Sequence, residues 1–110
     1  MTVRSGRLAG PITVPAGATV VLFTVPGGQT WLVKQLQAVN TGALGGVWYF
    51  DVLLGGVSCA FYSPTIAALR ADDHPTWMAL DPGCQLRVSA PAAGGGFAMA
   101  YGAKLAGVAP

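Results

Sequence analysis

The sequence predicts a single all-β domain, an antiparallel β-sandwich, and three observations carry that expectation. Sixteen Gly and eight Pro break the 110-residue chain at short intervals. The runs between them are rich in Val, Leu, Phe, Tyr, Trp and Thr, which suit a pleated, half-buried surface. Apolar residues at helical spacing are almost absent. The length fits one domain over residues 1–110, large enough to bury roughly 65% of its unfolded surface in one modest core.

The strands follow in order. The first runs from Thr2 to Ala9 and is closed by Gly10-Pro11, and residues 1–10 can also be read as an arm. The second, Ala18 to Val25, ends at Pro26-Gly27-Gly28. There Pro26 presets φ for the first corner of a type II turn and Gly27 supplies the second. The third spans Gln29 to Asn40. Trp31 and Val33 keep one parity, Leu36 and Ala38 the other, with Lys34 and Gln35 between them. Such a phase change predicts a β-bulge, or else two partly buried faces. After Asn40-Thr41-Gly42, strand four covers Gly46 to Leu54 and is apolar on both parities except at Asp51. Gly55-Gly56 is a two-residue hairpin signal, returning the chain as Val57 to Tyr62.

Residues 63–73 admit two readings, a short helical turn opened by Ser63-Pro64 or an extended loop. Pro75 to Leu80 is strand six. After the turn at 81–83, strand seven alternates, with Cys84, Leu86 and Val88 on one side and Gln85, Arg87 and Ser89 on the other, as a half-exposed antiparallel strand does. Gly96 to Leu105 closes the fold, with Phe97, Met99 and Tyr101 on one face. Residues 106–110 are a tail, frayed or docked on a neighbour. The count is about eight strands, most of them within the usual length of about 3–10 residues.

Charge narrows the function. Charged residues are 9% of the chain, with six basic residues, four Asp and no Glu, against about 25% in an average soluble domain. A spanning helix needs about 20 mostly apolar residues, and Gly, Pro or a charge interrupts every apolar run before that. No apolar h-region follows Arg4 and Arg7, so no signal peptide and no membrane association are expected. What remains is a surface covered by assembly, since obligate interfaces are depleted in charge. The net charge of +2 is scattered, without the basic stripe that nucleic acid demands. Arg4 and Arg7 flank Ser5-Gly6, placed to touch an acidic partner or to solvate an N-terminal arm. Cys59 and Cys84 make no disulfide framework. Both are expected as reduced, buried thiols, with a bridge between adjacent strands left open.

Sites of chemistry are scarce. His74 is the single histidine, so neither a histidine metal cluster nor an evident general base is at hand. Asp72-Asp73-His74 holds possible ligands, but neighbours in an extended chain point apart. Gly56-Val57-Ser58-Cys59-Ala60 approaches a nucleophile elbow, yet lacks the second Gly and opens a strand where the motif needs a strand-to-helix turn. Gly94-Gly95-Gly96 lacks the Lys-Ser/Thr of a phosphate loop. The expectation is no enzyme, no cofactor and no metal. Trp31, Trp48 and Trp77 with Tyr49 and Tyr62 could form a stacking platform for sugar, as in a carbohydrate-binding module, or serve as core and interface anchors. On strand four, Trp48, Phe50 and Val52 share one face and Val47, Tyr49 and Leu53 the other, more than one small core readily receives. One face is therefore expected to meet another subunit, and the candidate interface is Trp48, Phe50 and Val52 with Arg4 and Arg7.

Four segments together resemble a known group: Leu22 to Gly27, Val39 to Thr41, Leu80 to Val88 and Phe97 to Gly102. Their turn-and-strand pattern is similar to that of small β-sandwich virion proteins of tailed bacteriophages. The likeness covers most of the chain. It departs at Tyr101-Gly102-Ala103, where that group tends to carry Gly-Tyr-Glu. The resemblance implies a jelly-roll-like sandwich and a structural role in the virion, assembled in the bacterial host cytoplasm. A capsid decoration protein or head-fibre base is the first expectation, a minor tail or baseplate protein the second. The implied partners are further copies of the chain, such as a trimer, and the major capsid protein or other virion proteins.

Overall fold

The computed structural model describes residues 2–106. Ten strands account for the regular structure: β1 (Thr2–Val14), β2 (Thr19–Thr24), β3 (Gln29–Asn40), β4 (Gly46–Val47), β5 (Tyr49–Leu54), β6 (Val57–Tyr62), β7 (Thr65–Ile66), β8 (Ala71–Leu80), β9 (Gln85–Ser89) and β10 (Gly96–Ala106). One four-stranded sheet runs β1-β10-β3-β8 and a second runs β2-β9-β5-β6, with β4 and β7 as a short ribbon. The strand pairings are antiparallel.

Setting aside the ribbon, the first strand pairs with the last, the second with the second-last and the third with β8, while β5 and β6 form the central hairpin. A long hairpin rolled up in this way is the eight-stranded, two-sheet jelly roll. The fold class expected from the sequence is the one observed.

The sheets face each other across a layer that includes Trp48, Phe50, Leu36, Leu86 and Val88, all essentially without solvent contact. Full burial of a large aliphatic or aromatic side chain stabilises by about 1.5–3 kcal/mol. The alternation of β9 matches its apolar row: Leu86 and Val88 are buried, and Gln85, Arg87 and Ser89 face out. Along β10 the inward row is small (Ala98, Ala100), and Phe97, Met99 and Tyr101 share the outer face.

Lys34 is the bulged residue of β3. The pairing with β10 steps from Val33 to Gln35 across Gly102 and Tyr101, and the pairing with β8 steps at the same place. The extra residue lets Trp31 and Val33 before it, and Leu36 and Ala38 after it, all point inward. Gly102 lies at this irregularity, where a Cβ would stand 1.8 Å from the Leu32 carbonyl oxygen.

Four local expectations are corrected. Gly10-Pro11 does not end the first strand. Gly10 adopts φ 89°, its peptide to Pro11 is cis, and β1 resumes pairing with β10 to Val14. The turn after β2 is framed one residue later than expected: Gly28 takes the positive φ of 76° and Gln29 N–H donates to the Pro26 carbonyl at 3.3 Å. Strand four is two strands. At Trp48 the chain leaves β7 for β9, and the Trp48 N–H donates to the Pro64 carbonyl at 2.9 Å. Residues 63–73 form β7, a turn in which Arg70 N–H donates to the Ala67 carbonyl at 3.2 Å, and the start of β8, which begins at Ala71 and not at Pro75.

Asn40 is the buried polar residue that ties the loops together. Its Nδ2 donates to the carbonyls of Leu44 (3.0 Å) and Ile66 (3.1 Å), and its Oδ1 accepts from Gly42 N–H at 2.9 Å. Every capacity of the amide aimed at the backbone is used, as burial requires.

Two stability outcomes follow. Asn40→Ala leaves those loop groups without their partner and is expected to cost about 2–4 kcal/mol, from about 1–3 kcal/mol per unsatisfied buried group with partial rescue by solvent. Gly102→Ala must displace backbone and is expected to cost about 3 kcal/mol, at the top of the usual overpacking range. Urea unfolding followed by circular dichroism checks both. A loss below about 0.5 kcal/mol at either site contradicts the assigned geometry.

Candidate assembly surface

The five residues expected at a subunit contact do not come together. Trp48 and Phe50 lie wholly inside this chain's own core, and Val52 is half-buried and packed against it. These three cannot form the contact surface as expected. The physical reason is parity: the face of β5 that carries Phe50 and Val52 is the one turned toward the opposite sheet. Arg7 is exposed on β1 opposite Tyr101, and the Arg4 side chain lies outside the described residues.

The other face of this segment is the open one. Tyr49 is 48% exposed, Val47 is exposed and Leu53 is half-buried. Between Tyr49 and Leu53 sits Asp51, which accepts from Arg87 Nε at 3.0 Å across the strand pair. This hydrogen bond raises the Arg87 pKa above its usual value. Thr19 and Ser89 share a hydroxyl hydrogen bond of 2.7 Å on the same outer face.

The aromatic residues do not make a platform. Trp48 is internal. Trp31 is buried against Phe23, with ring centroids 4.7 Å apart, beneath Lys104 Nζ at 4.4 Å. Trp77 alone of the three is open, 73% exposed on the outer face of β8, with Lys34 Nζ 5.5 Å from its ring centre. Tyr62 is turned inward. A sugar ring needs two or three coplanar exposed rings with polar flanks, and the fold disperses these five residues.

Tyr62 instead bridges the two sheets along the side where β6 and β8 form their edges. Its ring stacks on His74 of β8, centroids 3.6 Å apart and 12° from parallel, and its hydroxyl donates to Asp72 Oδ2 at 2.6 Å. The Phe50 ring lies 6.1 Å from that of Tyr62, centre to centre. Asp73 points the opposite way, accepting from Gln37 of β3. The Asp72-Asp73-His74 run therefore splits between two faces, and among the described residues no group of three metal-binding side chains gathers. Burial first, then the hydrogen bond to Asp72 and its charge, push the Tyr62 phenol up to about 12.

Beyond Tyr62 this side of the sandwich opens. β6 is exposed along Val57 to Phe61, on both faces, and Val57 is 72% exposed. Leu54, across the hairpin from Val57, is 49% exposed. Cys59 lies in the middle of the strand as an exposed free thiol, whereas Cys84 is buried and free. The expectation of two buried thiols thus holds for one. A bridge between them is ruled out by topology, because β5 separates β6 from β9. Strands two places apart are about 9–10 Å from each other, beyond the reach of a disulfide. Sequence reasoning placed the strand Val57–Tyr62 but not its position at an exposed sheet edge. Its charge-free composition over Val57–Tyr62 was the available signal, but an edge strand and a central one read alike.

No family model matches the chain, and no curated protein matches it. Solved structures that share its fold include the following two. One is a chain from the disulfide-linked pili of Bacillus endospore appendages, at 14% identity and a TM-score of 0.63, covering 97% of this chain and 90% of that one. The other is from infectious bursal disease virus, Gx strain, at 13% identity and a TM-score of 0.53, covering 94% of this chain and 31% of that one. At these identities the likeness establishes an all-β sandwich architecture.

The raised Tyr62 pKa has a definite sign. The neutral phenol is the form the fold favours, so its stabilisation is complete below pH 10 and is lost as pH rises from 10 toward 12. Relative to Tyr62→Phe, the wild-type protein is expected to lose stability over that interval and not below it. Thermal melts of both proteins from pH 8 to 12 check this, and parallel curves across the range contradict the Tyr62–Asp72 assignment.

Proposed function

We propose that this chain is a non-enzymatic structural subunit of a repeating particle or filament, held by contacts between copies. The observation that carries the reading is the distribution of exposed apolar surface on a chain with 9% charged residues: β6, Leu54, Tyr49 and Trp77 all face outward. Monomeric proteins seldom leave apolar surface so lightly screened by charge. The finer reading is a virion protein of a tailed bacteriophage, most simply a capsid decoration protein, and it is supported by the turn-and-strand resemblance described above. Apolar contacts worth about 25 cal/mol per Å² would then be repeated over many copies to clamp the shell.

A filament subunit is the second reading, favoured by the near-complete mutual coverage with the endospore-pilus chain. Both readings require self-association, and a carbohydrate-binding module does not. The test is native mass over a dilution series, with negative-stain microscopy of the same samples. Discrete closed oligomers are expected for a decoration protein, and open fibres for a pilus-like subunit. A monomer that persists at the highest soluble concentration overturns assembly through self-contacts.

A further inference from the structure

The four sheet edges are not equivalent. Edge strands are normally blunted by charge, by Pro or by cover from another element. β8 carries Pro75, which has no N–H, together with Asp72 and Asp73. β1 is interrupted at Gly10-Pro11 and carries Arg7, and β2 lies against β1. β6, Val-Ser-Cys-Ala-Phe-Tyr, has no charge, no Pro and no Gly, and nothing in the described residues pairs with its outer side.

Its hairpin sets which backbone groups point outward. Gly55 and Gly56 adopt φ 60° and 79°, the two positive values of a type I′ turn. The pair that flanks such a two-residue turn, Leu54 and Val57, exchanges hydrogen bonds. Alternation along an antiparallel ladder then turns the N–H and C=O of Cys59 toward β5, and those of Ser58 and Ala60 out to the free edge.

We propose that β6 is the docking edge for a second copy of this chain, paired antiparallel about a two-fold axis through Cys59, an inference that rests on the assembly reading above. In this register Ser58 of each copy faces Ala60 of the other, and each such pair exchanges both N–H···O=C bonds. Cys59 meets its own symmetry mate in a non-hydrogen-bonded position, with Cα atoms about 4.5 Å apart. Val57 comes near Phe61, the residue that the β5–β6 ladder skips between Ala60 and Tyr62. Shifting the axis to Ser58 would set Ala60 against Gly56, which belongs to the turn. Shifting it to Ala60 would set Ser58 against Tyr62, beyond the irregularity between Phe50 and Asp51.

The occupant is a second copy because the edge is complementary to itself. A two-fold contact brings Cys59 onto its own mate and pairs the other residues of β6 reciprocally with one another, so an uncharged strand sets no like charges together. The chain as a whole carries +2, yet β6 carries none. The pairing would join the two β2-β9-β5-β6 sheets into one continuous sheet of both copies, an isologous interface.

The test uses the full chain and the thiol as reporter. Diamide is added to purified protein: the two Cys59 thiols lose their protons and two electrons to the azo group, forming one S–S bond while diamide becomes the hydrazine. A covalent dimer is expected from wild type and from Cys84→Ser, and none from Cys59→Ser. Sedimentation of Cys59→Lys, which sets two ammonium groups face to face at an exposed position, is expected to show dimer association weakened at least tenfold with an unchanged circular dichroism spectrum. A wild-type oligomer that neither crosslinks through Cys59 nor responds to Cys59→Lys overturns the β6 contact and leaves the assembly reading standing. A wild-type protein that is monomeric at every concentration overturns both.

Discussion

Trp48 and Phe50 hold the position on which the sandwich turns. Each lies fully buried between the sheets, at the point where the chain passes from the β4–β7 ribbon into the middle of the second sheet. A sheet face is apolar on one side and gains stability only by burying that side against another layer. In this chain the layer is thin, and two large rings supply much of its filling beside a row of Ala in β10. Once those rings are placed, Val52 must also point inward, Tyr49 and Leu53 must point outward, and β6 is left at the margin of the sheet.

That margin is where the sandwich and its surroundings meet. Tyr62 closes the gap between the sheets near Asp72 and His74, so the stack is anchored there by a hydrogen bond and two ring contacts. On the hairpin side of Tyr62, the inner-face residues of β6 lie beyond the core. The same geometry that finishes the core with an aromatic clasp leaves an uncharged strand with a free hydrogen-bonding edge. Core completion and exposure of the edge are two consequences of one register, including the step between Phe50 and Asp51 that sets Tyr62 opposite Phe50.

The bulge at Lys34 has a comparable role in the other sheet. Without it, Leu36 and Ala38 would point to solvent, because a one-residue slip reverses every side chain beyond it. With it, β3 stays in register with both β10 and β8 and places Asn40 inside, where its amide gathers three loop groups. The loops at that end are thus held by the last residue of a strand whose inward phase depends on one inserted residue.

The sequence by itself determined the all-β class, the positions of most strands, the Gly55-Gly56 hairpin, the alternation of β9 and the phase change of β3. These rest on period-two patterning and turn chemistry, which are local. It also spaced Asp72, Asp73 and His74 along an extended chain, so that their dispersal was legible. Only the tertiary structure decided which apolar face of β5 is inside, that Cys59 is exposed while Cys84 is buried, that Trp77 stands outside while Trp31 and Trp48 stand within, and that β6 is an edge. Those outcomes depend on which strand lies beside or across from each residue, and sequence-distant pairing, first strand with last and third with eighth, is not written in any local pattern. The division is physical: a strand's two faces are chemically distinguishable only once the opposite sheet is in place.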